Sequence, residues 1–400
     1  LRPSDALRIL ISFRSIRTGH CVVRGDQAGH TVLATHATRS EALSQALAAG
    51  EDLRSYLAVV EDGATAGHYE LGPEPLTVGR DESRHVVLRD AQVSRLHLQV
   101  WVADGQVYAE DLGSSNGTFL DGRRITGPVA LQEGRWLQVG SRMLKHERRS
   151  RRDVDHAESL RRDLEKARSY VFSLLPAPIV AGPVRTDWYY EPSTELGGDA
   201  FSYGRLDDEH VVAYLVDVSG HGVGAAMHSV TVLSVLRQRA LPNADFREPA
   251  QVLASLNTMF QMDEHDGMYF TLWYGVYSLA TRRLAFASAG HHPGFLYVAG
   301  VPRQPLRTPG PMIGAMPAPR YVTGEVEVPA GAALYLFSDG AFETVDPEGR
   351  QRGLDDLLPL LDSRLGADPG EAQRIYRSVR ETSKPGPLDD DFSMLVIRFS

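Results

Sequence analysis

The spacing of apolar positions changes several times along the chain, and each change predicts a different kind of element. Between residues 55 and 148, short apolar runs at 76–78, 85–88, 97–102, 106–109 and 136–139 are separated by Gly, Asp, Asn or Pro. Short strands with turn residues between them predict an all-β sandwich over 55–148. In the linker 149–176, Ala157, Leu160, Leu164, Ala167, Val171 and Leu174 recur at alternating spacings of 3 and 4. That is an a/d seam. It follows a charged hinge at 148–153, and Pro176 and Pro178 stop it. The seam is short, so a parallel coiled-coil homodimer and an amphipathic helix lying on a neighbouring domain are both open, with the dimer favoured.

Beyond residue 177 the pattern predicts strands at 184–191, 211–218, 269–276, 283–289, 333–337 and 394–399. Helices are expected at 224–239, 249–262, 354–365 and 371–382. Strands and helices that come in separate pairs predict an α+β domain over 177–400, with helices covering antiparallel sheets. Upstream, residues 1–54 read as a small α/β segment of unknown role, with strands at 9–16 and 21–23. A helix over 38–56 would carry Ala42, Ala46, Leu47, Leu53 and Leu57 and be capped by Thr38 or Ser40. His20, His30 and His36 fall there in polar surroundings and read as solvated.

Composition narrows the chemistry. A chain of 400 residues implies two or three domains. A net charge of −9, from 42 basic and 51 acidic side chains, leaves no electrostatic footprint for nucleic acid or an anionic membrane. The chain has no long apolar run and its first residues, Leu1-Arg2-Pro3-Ser4, are not those of a signal peptide, so the cytoplasm is the expected location. Cys21 is the only cysteine, which excludes a disulfide framework and a cysteine metal cluster and leaves cysteine-phosphatase chemistry without a motif.

Four aspartates, each at a strand end or a glycine turn, carry the clearest chemical signal. They are Asp199 after Gly197-Gly198, Asp217 in the run 214–224, Asp339 in Ser338-Asp339-Gly340, and Asp390 in Asp389-Asp390-Asp391. One such residue is an ordinary turn or cap. Four together suggest carboxylates converging at one end of two stacked sheets, where like charges call for a cation. An all-oxygen set suits Mg²⁺ or Mn²⁺. His221, His291 and His292 read as loop-ordering residues rather than zinc ligands.

In the sandwich, Gly79-Arg80, Ser94-Arg95-Leu96-His97 and the polar turn Asp111 to Thr118 occur in an order that resembles a forkhead-associated (FHA) domain, a phosphothreonine-reading module. A phosphate dianion wants a guanidinium and several neutral donors. The resemblance implies that Arg80, Ser94 and Arg95 contact the phosphate, that Ser115 adds a hydroxyl and that Asn116 fixes the bound peptide's backbone. His97 would brace the loops, and the partner would be a phosphothreonine-containing protein.

Gly-Gly-Asp, then Asp-Val-Ser-Gly-His-Gly, Ala-Gly-His-His-Pro, Ser-Asp-Gly and Asp-Asp-Phe-Ser occur in the order that resembles the SpoIIE-like branch of the metal-dependent (type 2C, PPM) serine/threonine phosphatases. The resemblance implies a four-layer αββα sandwich and two divalent ions, Mn²⁺ or Mg²⁺. Asp217 would bridge them, Asp199 and the Val218 carbonyl would serve one, and Asp339 with Asp390 the other. Asp391 is the alternative to Asp390, because the triple aspartate leaves the register open. Asp217, Asp339 and Asp390 are then the catalytic set, hydrolysis needs no phosphoenzyme, and the substrate is a phosphoserine or phosphothreonine protein such as an anti-sigma-factor antagonist. The other reading is a phosphothreonine-dependent scaffold whose phosphatase domain is weak or inactive.

Overall fold

The computed structural model describes residues 52–61, 64–264, 267–362 and 370–400. The strands and the helix start expected within 1–51, and the three histidines there, lie outside these residues, as do the last residues of the helix expected over 354–365. The described end of the expected 38–56 helix is strand. β1 (Leu53–Glu61) begins there, paired on one side with β2 (Ala64–Glu70) and on the other with the last strand of the sandwich. Leu53 and Leu57, read as parts of one helix face, sit in a run rich in apolar and β-branched residues, and pairing on both sides overrides the helical spacing.

The sandwich continues with β3 (Leu76–Gly79), β4 (Val86–Val87), β5 (Leu98–Ala103), β6 (Gln106–Asp111), β7 (Thr118–Leu120), β8 (Arg123–Arg124), β9 (Val129–Ala130), β10 (Trp136–Val139) and β11 (Arg142–Ser150). One sheet has the order β2-β1-β11-β10-β7-β8 and the other β4-β3-β5-β6-β9. Their inner faces meet in a core that includes Leu57, Val78, Leu98, Val100, Leu137 and Leu144.

The hinge expected at 148–153 is not a loop. Arg148, Arg149 and Ser150 pair with β1, and helix α1 (Arg151–Leu174) starts at the next residue. Ser150 ends the strand and caps the helix, its Oγ accepting from the Asp153 N–H at 3.1 Å. The ladder to β1 holds the arginines extended, so their charge does not loosen the backbone. The far end of α1 docks on the second domain: Phe172 lies 5.2 Å from the Tyr190 ring, and Arg168 pairs with Glu191 at 3.2 Å. Among the described residues, no helix is long and apolar enough to cross a membrane.

The second domain contains β12 (Val184–Glu191), β13 (Asp199–Arg205), β14 (His210–Val218), α2 (Val223–Arg237), α3 (Pro249–Met259), β15 (Phe270–Ser278), β16 (Arg283–Ala289), β17 (Gly294–Val298), β18 (Val301–Leu306), β19 (Gly324–Glu327), β20 (Ala333–Phe337), α4 (Leu354–Asp362), α5 (Glu371–Glu381) and β21 (Phe392–Phe399). Two antiparallel sheets, β13-β14-β15-β16-β19 and β12-β21-β20-β17-β18, stack face to face with helices outside them. Three cores fill the gaps between four layers. Along β14, Tyr214, Val216 and Val218 face the layer of α2 and α3, while Val211, Ala213 and Leu215 face the other sheet. The two-residue pleat thus sends alternate side chains of one strand into two cores. Each large apolar side chain so buried contributes about 1.5–3 kcal/mol. Trp273 stands between the sheets with its indole N–H donating to the Leu306 carbonyl at 2.9 Å, and Gly275 leaves room for its ring.

Candidate functional site

The same alternation aims the acids. Asp217 continues the inter-sheet series Val211, Ala213, Leu215 to the end of β14. Asp199, first in β13, shares the inter-sheet face with Phe201 and Tyr203 and pairs opposite Asp217; Thr271 is opposite Asp217 on its other side. On the facing sheet, Ser338 follows Leu334 and Leu336, and Asp391 and Ser393 precede Leu395 and Ile397 on the same face. One end of the slot between the sheets therefore collects Asp199, Asp217, Ser338, Asp391 and Ser393. Asp339 opens a short 3₁₀ turn just beyond Ser338, and Asp390 sits exposed at the rim.

Tight backbone packing holds this end together. A Cβ on Gly198 would lie 2.8 Å from the Val218 carbonyl oxygen and 3.1 Å from that of Gly220. One on Gly340 would collide with the Asp391 carbonyl. The glycines beside Asp199 and Asp339 are thus needed for close approach.

The electrostatics are those of crowded anions. Burial raises the Asp199 carboxyl well above its ordinary range, helped by Asp217 and Asp391, and its Oδ2 has no hydrogen-bond partner. Asp217 is pushed up to about 8 by burial and then by Asp339, Asp390 and Asp391. Burial and the nearby Glu343 raise Asp339, and Asp390 rises to about 6 through partial desolvation of its carboxyl at the exposed rim, with Asp339 and Asp391 adding. Among the described residues, no three His, Cys, Asp or Glu side chains stand close enough to form a ready metal shell. The acids share a field rather than a closed polyhedron. Their donor set, carboxylate and carbonyl oxygen with one buried oxygen unpartnered, fits a hard divalent cation and lacks the nitrogen or sulfur that zinc prefers.

Asp391 differs from its neighbours. Its Oδ1 accepts from the Ser193 N–H at 2.7 Å and the Ser193 hydroxyl at 2.9 Å, and its Oδ2 accepts from the Gly198 N–H at 2.6 Å. Both oxygens are occupied in tying the Gly-Gly-Asp loop to β21. Asp390 instead accepts only the Asp391 N–H, at 2.8 Å. Asp391→Ala would strand three donors and is expected to destabilise the metal-free protein by about 3 kcal/mol or more, while Asp390→Asn leaves its urea midpoint unchanged; equal midpoints for both variants would remove the brace.

His291 and His292 order loops by their contacts. The His291 Nδ1 is 2.9 Å from the His292 carbonyl and the His292 Nδ1 is 3.2 Å from that of Pro293. The His292 ring stacks on Phe337 at 4.7 Å. Burial lowers His291 to about 4 and takes His292 well below its ordinary value, so both stay neutral. Ser193, Thr271, Ser338, Ser393 and Glu343 belong to the site and were not singled out from the sequence; strand parity and register are the signals that reach most of them.

In the sandwich, Arg80, Ser94, Arg95, Ser115 and Asn116 gather on the loops at one end. The Arg80 N–H donates to the Ser94 carbonyl at 3.0 Å, the Ser115 N–H to Ser94 Oγ at 3.0 Å, and Asn116 Nδ2 to the Gln92 carbonyl at 2.7 Å. Arg80 and Arg95 are exposed and, among the described residues, in no ion pair. Fully buried His97 joins the loops, its Nδ1 accepting from the Ser94 N–H at 3.1 Å and its Nε2 donating to the Gly117 carbonyl at 3.2 Å. Burial lowers its pKa, in keeping with one donor and one acceptor nitrogen.

Comparison with known proteins matches both halves. Residues 207–400 match the family described as Stage II sporulation protein E (SpoIIE), and residues 76–140 match the FHA domain. Phosphoserine phosphatase RsbP of Bacillus subtilis is 29% identical over 241 residues, which cover 59% of this chain and 58% of that protein. FHA domain-containing protein FhaB of Mycobacterium tuberculosis is 34% identical over 85 residues, 21% of this chain and 55% of that one. The chain thus spans less than two thirds of the length of either relative. Among solved structures, the SiaA-PP2C domain of Pseudomonas aeruginosa aligns with a TM-score of 0.53 at 22% identity, over 62% of this chain and 98% of that one, a likeness of fold.

Proposed function

We propose, from the premise that this chain is an FHA domain followed by a SpoIIE-type PP2C phosphatase domain, that it is a metal-dependent phosphatase of phosphoserine or phosphothreonine in a signalling protein. The observation that carries the reading is the run of raised carboxyls around Asp217 at one end of the inter-sheet slot. Two divalent ions, Mn²⁺ or Mg²⁺, would supply Lewis acidity toward a phosphomonoester there. Asp217 would serve both ions, Asp199 and the Val218 carbonyl one of them, and Asp339 with Asp390 the other. The hydrogen bonds at Asp391 favour Asp390 as the ligand and leave Asp391 to hold the Gly197-Gly198-Asp199 loop in register. The printed activity of RsbP supports phosphoserine as the target, and an anti-sigma-factor antagonist is the proposed kind of substrate.

The sandwich would recruit or report a phosphothreonine protein, with Arg80 and Arg95 supplying charge and Ser94 and Ser115 hydroxyls. The scaffold reading has one observation in its favour, the absence of a ready metal shell among the described residues. Release of phosphate from a phosphoserine protein that needs Mn²⁺ and stops with EDTA separates the two. No release at any metal concentration would leave the scaffold.

We further propose a homodimer through α1. Leu160 on the seam is 54% exposed, and Tyr170 beside it is also exposed. Leu164→Glu is expected to halve the mass measured by light scattering, and an unchanged mass would refute the seam.

A further inference from the structure

Away from the acids, at the other end of β13 and β14, a cavity of about 110 Å³ opens between these strands and the C-terminus of α2. It far exceeds the roughly 10–15 Å³ that admits one water. Its lining includes Arg205, Arg237, Arg239, Ser202, Tyr214 and Tyr274. Asp199 and Arg205 are the two ends of β13, six residues apart, about 20 Å at ~3.3 Å per residue. The cavity is separate from the catalytic end of the slot.

We propose that this cavity binds a small oxyanion, either inorganic phosphate or the phosphoryl group of a small phosphomonoester. Three guanidinium groups line it, and among the described residues none is in an ion pair. Each is anchored by neutral oxygen instead. Arg205 Nη1 donates to the Asp208 carbonyl at 2.9 Å. Arg237 donates through Nε and Nη2 to Ser202 Oγ at 3.1 and 3.0 Å. Arg239 Nη2 donates to the carbonyls of Arg205 and Leu206. Every guanidinium has five N–H donors, so each keeps several for a ligand.

The nearby acids are engaged elsewhere or turned outward. Asp207 accepts from His210, Asp245 pairs with Arg247 at 2.9 Å, and Asp208 and Glu209 are exposed on the hairpin. The floor is pre-built: Ser202 is buried, and Tyr214 stacks on Tyr274 with 5.8 Å between ring centres. Arg239 itself has φ 54, a left-handed backbone that a non-glycine residue adopts at a cost. The three arginines are solvent-exposed at the mouth of the cavity, and guanidiniums held there by neutral oxygens, with no carboxylate partner among the described residues, form the arrangement that oxyanion recognition uses. Helix α2 links this pocket to the acids, since its other end follows the Gly220-His221-Gly222 turn and its Ala225 lies against Gly198.

The test is calorimetric titration of the full chain carrying Arg80→Ala, in EDTA, so that neither the phosphothreonine loops nor a metal contributes. Inorganic phosphate and glycerol 3-phosphate are titrated separately. Saturable one-site binding is expected, weakened about tenfold or more by Arg237→Ala and by Arg239→Gly. The glycine variant suits the left-handed backbone and so removes the guanidinium without adding strain. Tighter binding of phosphate, or of the ester, identifies the source. No saturable binding of either, or equal affinity in the arginine variants, overturns the pocket.

Discussion

Asp217→Asn is expected to lower metal-dependent phosphate release by about a thousandfold or more, and to leave the chelated protein at least as stable as wild type. The two effects have one cause. Asp217 is buried at a strand end with Asp199 across from it, and Asp339, Asp390 and Asp391 all raise its carboxyl. In the folded chain without a cation this repulsion keeps the Asp217 carboxyl protonated up to about pH 8, and an isosteric amide stays neutral at every pH while keeping an acceptor for Thr271. With a cation the same charges are the binding energy, and the amide loses the central one. The measurement is a pair of curves, phosphate release against Mn²⁺ concentration and thermal unfolding in EDTA. Wild-type rates at saturating Mn²⁺ would sink the proposed role. A large drop in melting temperature in EDTA would instead make Asp217 a structural acid.

Arg80→Ala is expected to weaken binding of a phosphothreonine peptide by about a hundredfold, with aryl phosphate hydrolysis unchanged. Arg80 leaves β3 beside Gly79, a position where any Cβ would collide with the Arg95 carbonyl. Backbone bonds from Arg80 to Ser94 and from Asp81 to Arg95 then fix the two arginines on neighbouring loops. Neither guanidinium spends its charge on an internal carboxylate, so removing one subtracts directly from what a phosphate dianion meets. Fluorescence anisotropy with phosphorylated and unphosphorylated peptide is the readout. Undiminished binding of the phosphopeptide would move the site to other residues.

Much of the fold was legible because strand alternation and glycine turns are local signals. The strands at 184–191, 283–289, 333–337 and 136–139 fall where the apolar runs place them. What was missed has physical reasons. β18 carries Pro302 and Pro305, which argue against a strand, yet it lies at a sheet edge where a missing N–H does no harm. β13 begins with Asp199 and contains Gly204, so it reads as a loop until its pairing with β14 is known. Three consecutive aspartates look alike in the sequence, and what distinguishes the surroundings of Asp390 from those of Asp391 is not local. The difference arises because β21 starts at Phe392 rather than Met394, which carries the inter-sheet parity back through Ser393 to Asp391. The arginine cavity leaves no motif at all, because Arg205 comes from a strand and Arg237 and Arg239 from the end of a helix.

The joint at Ser150 bears on how the two halves communicate. One residue is both the end of a strand and the cap of a 24-residue helix about 36 Å long, so there is no swivel at which a twist applied to the sandwich could dissipate. The helix is a shaft keyed into a sheet at one end and seated on the second domain by Phe172 at the other. The phase of the shaft changes by about 100° with each residue inserted or removed.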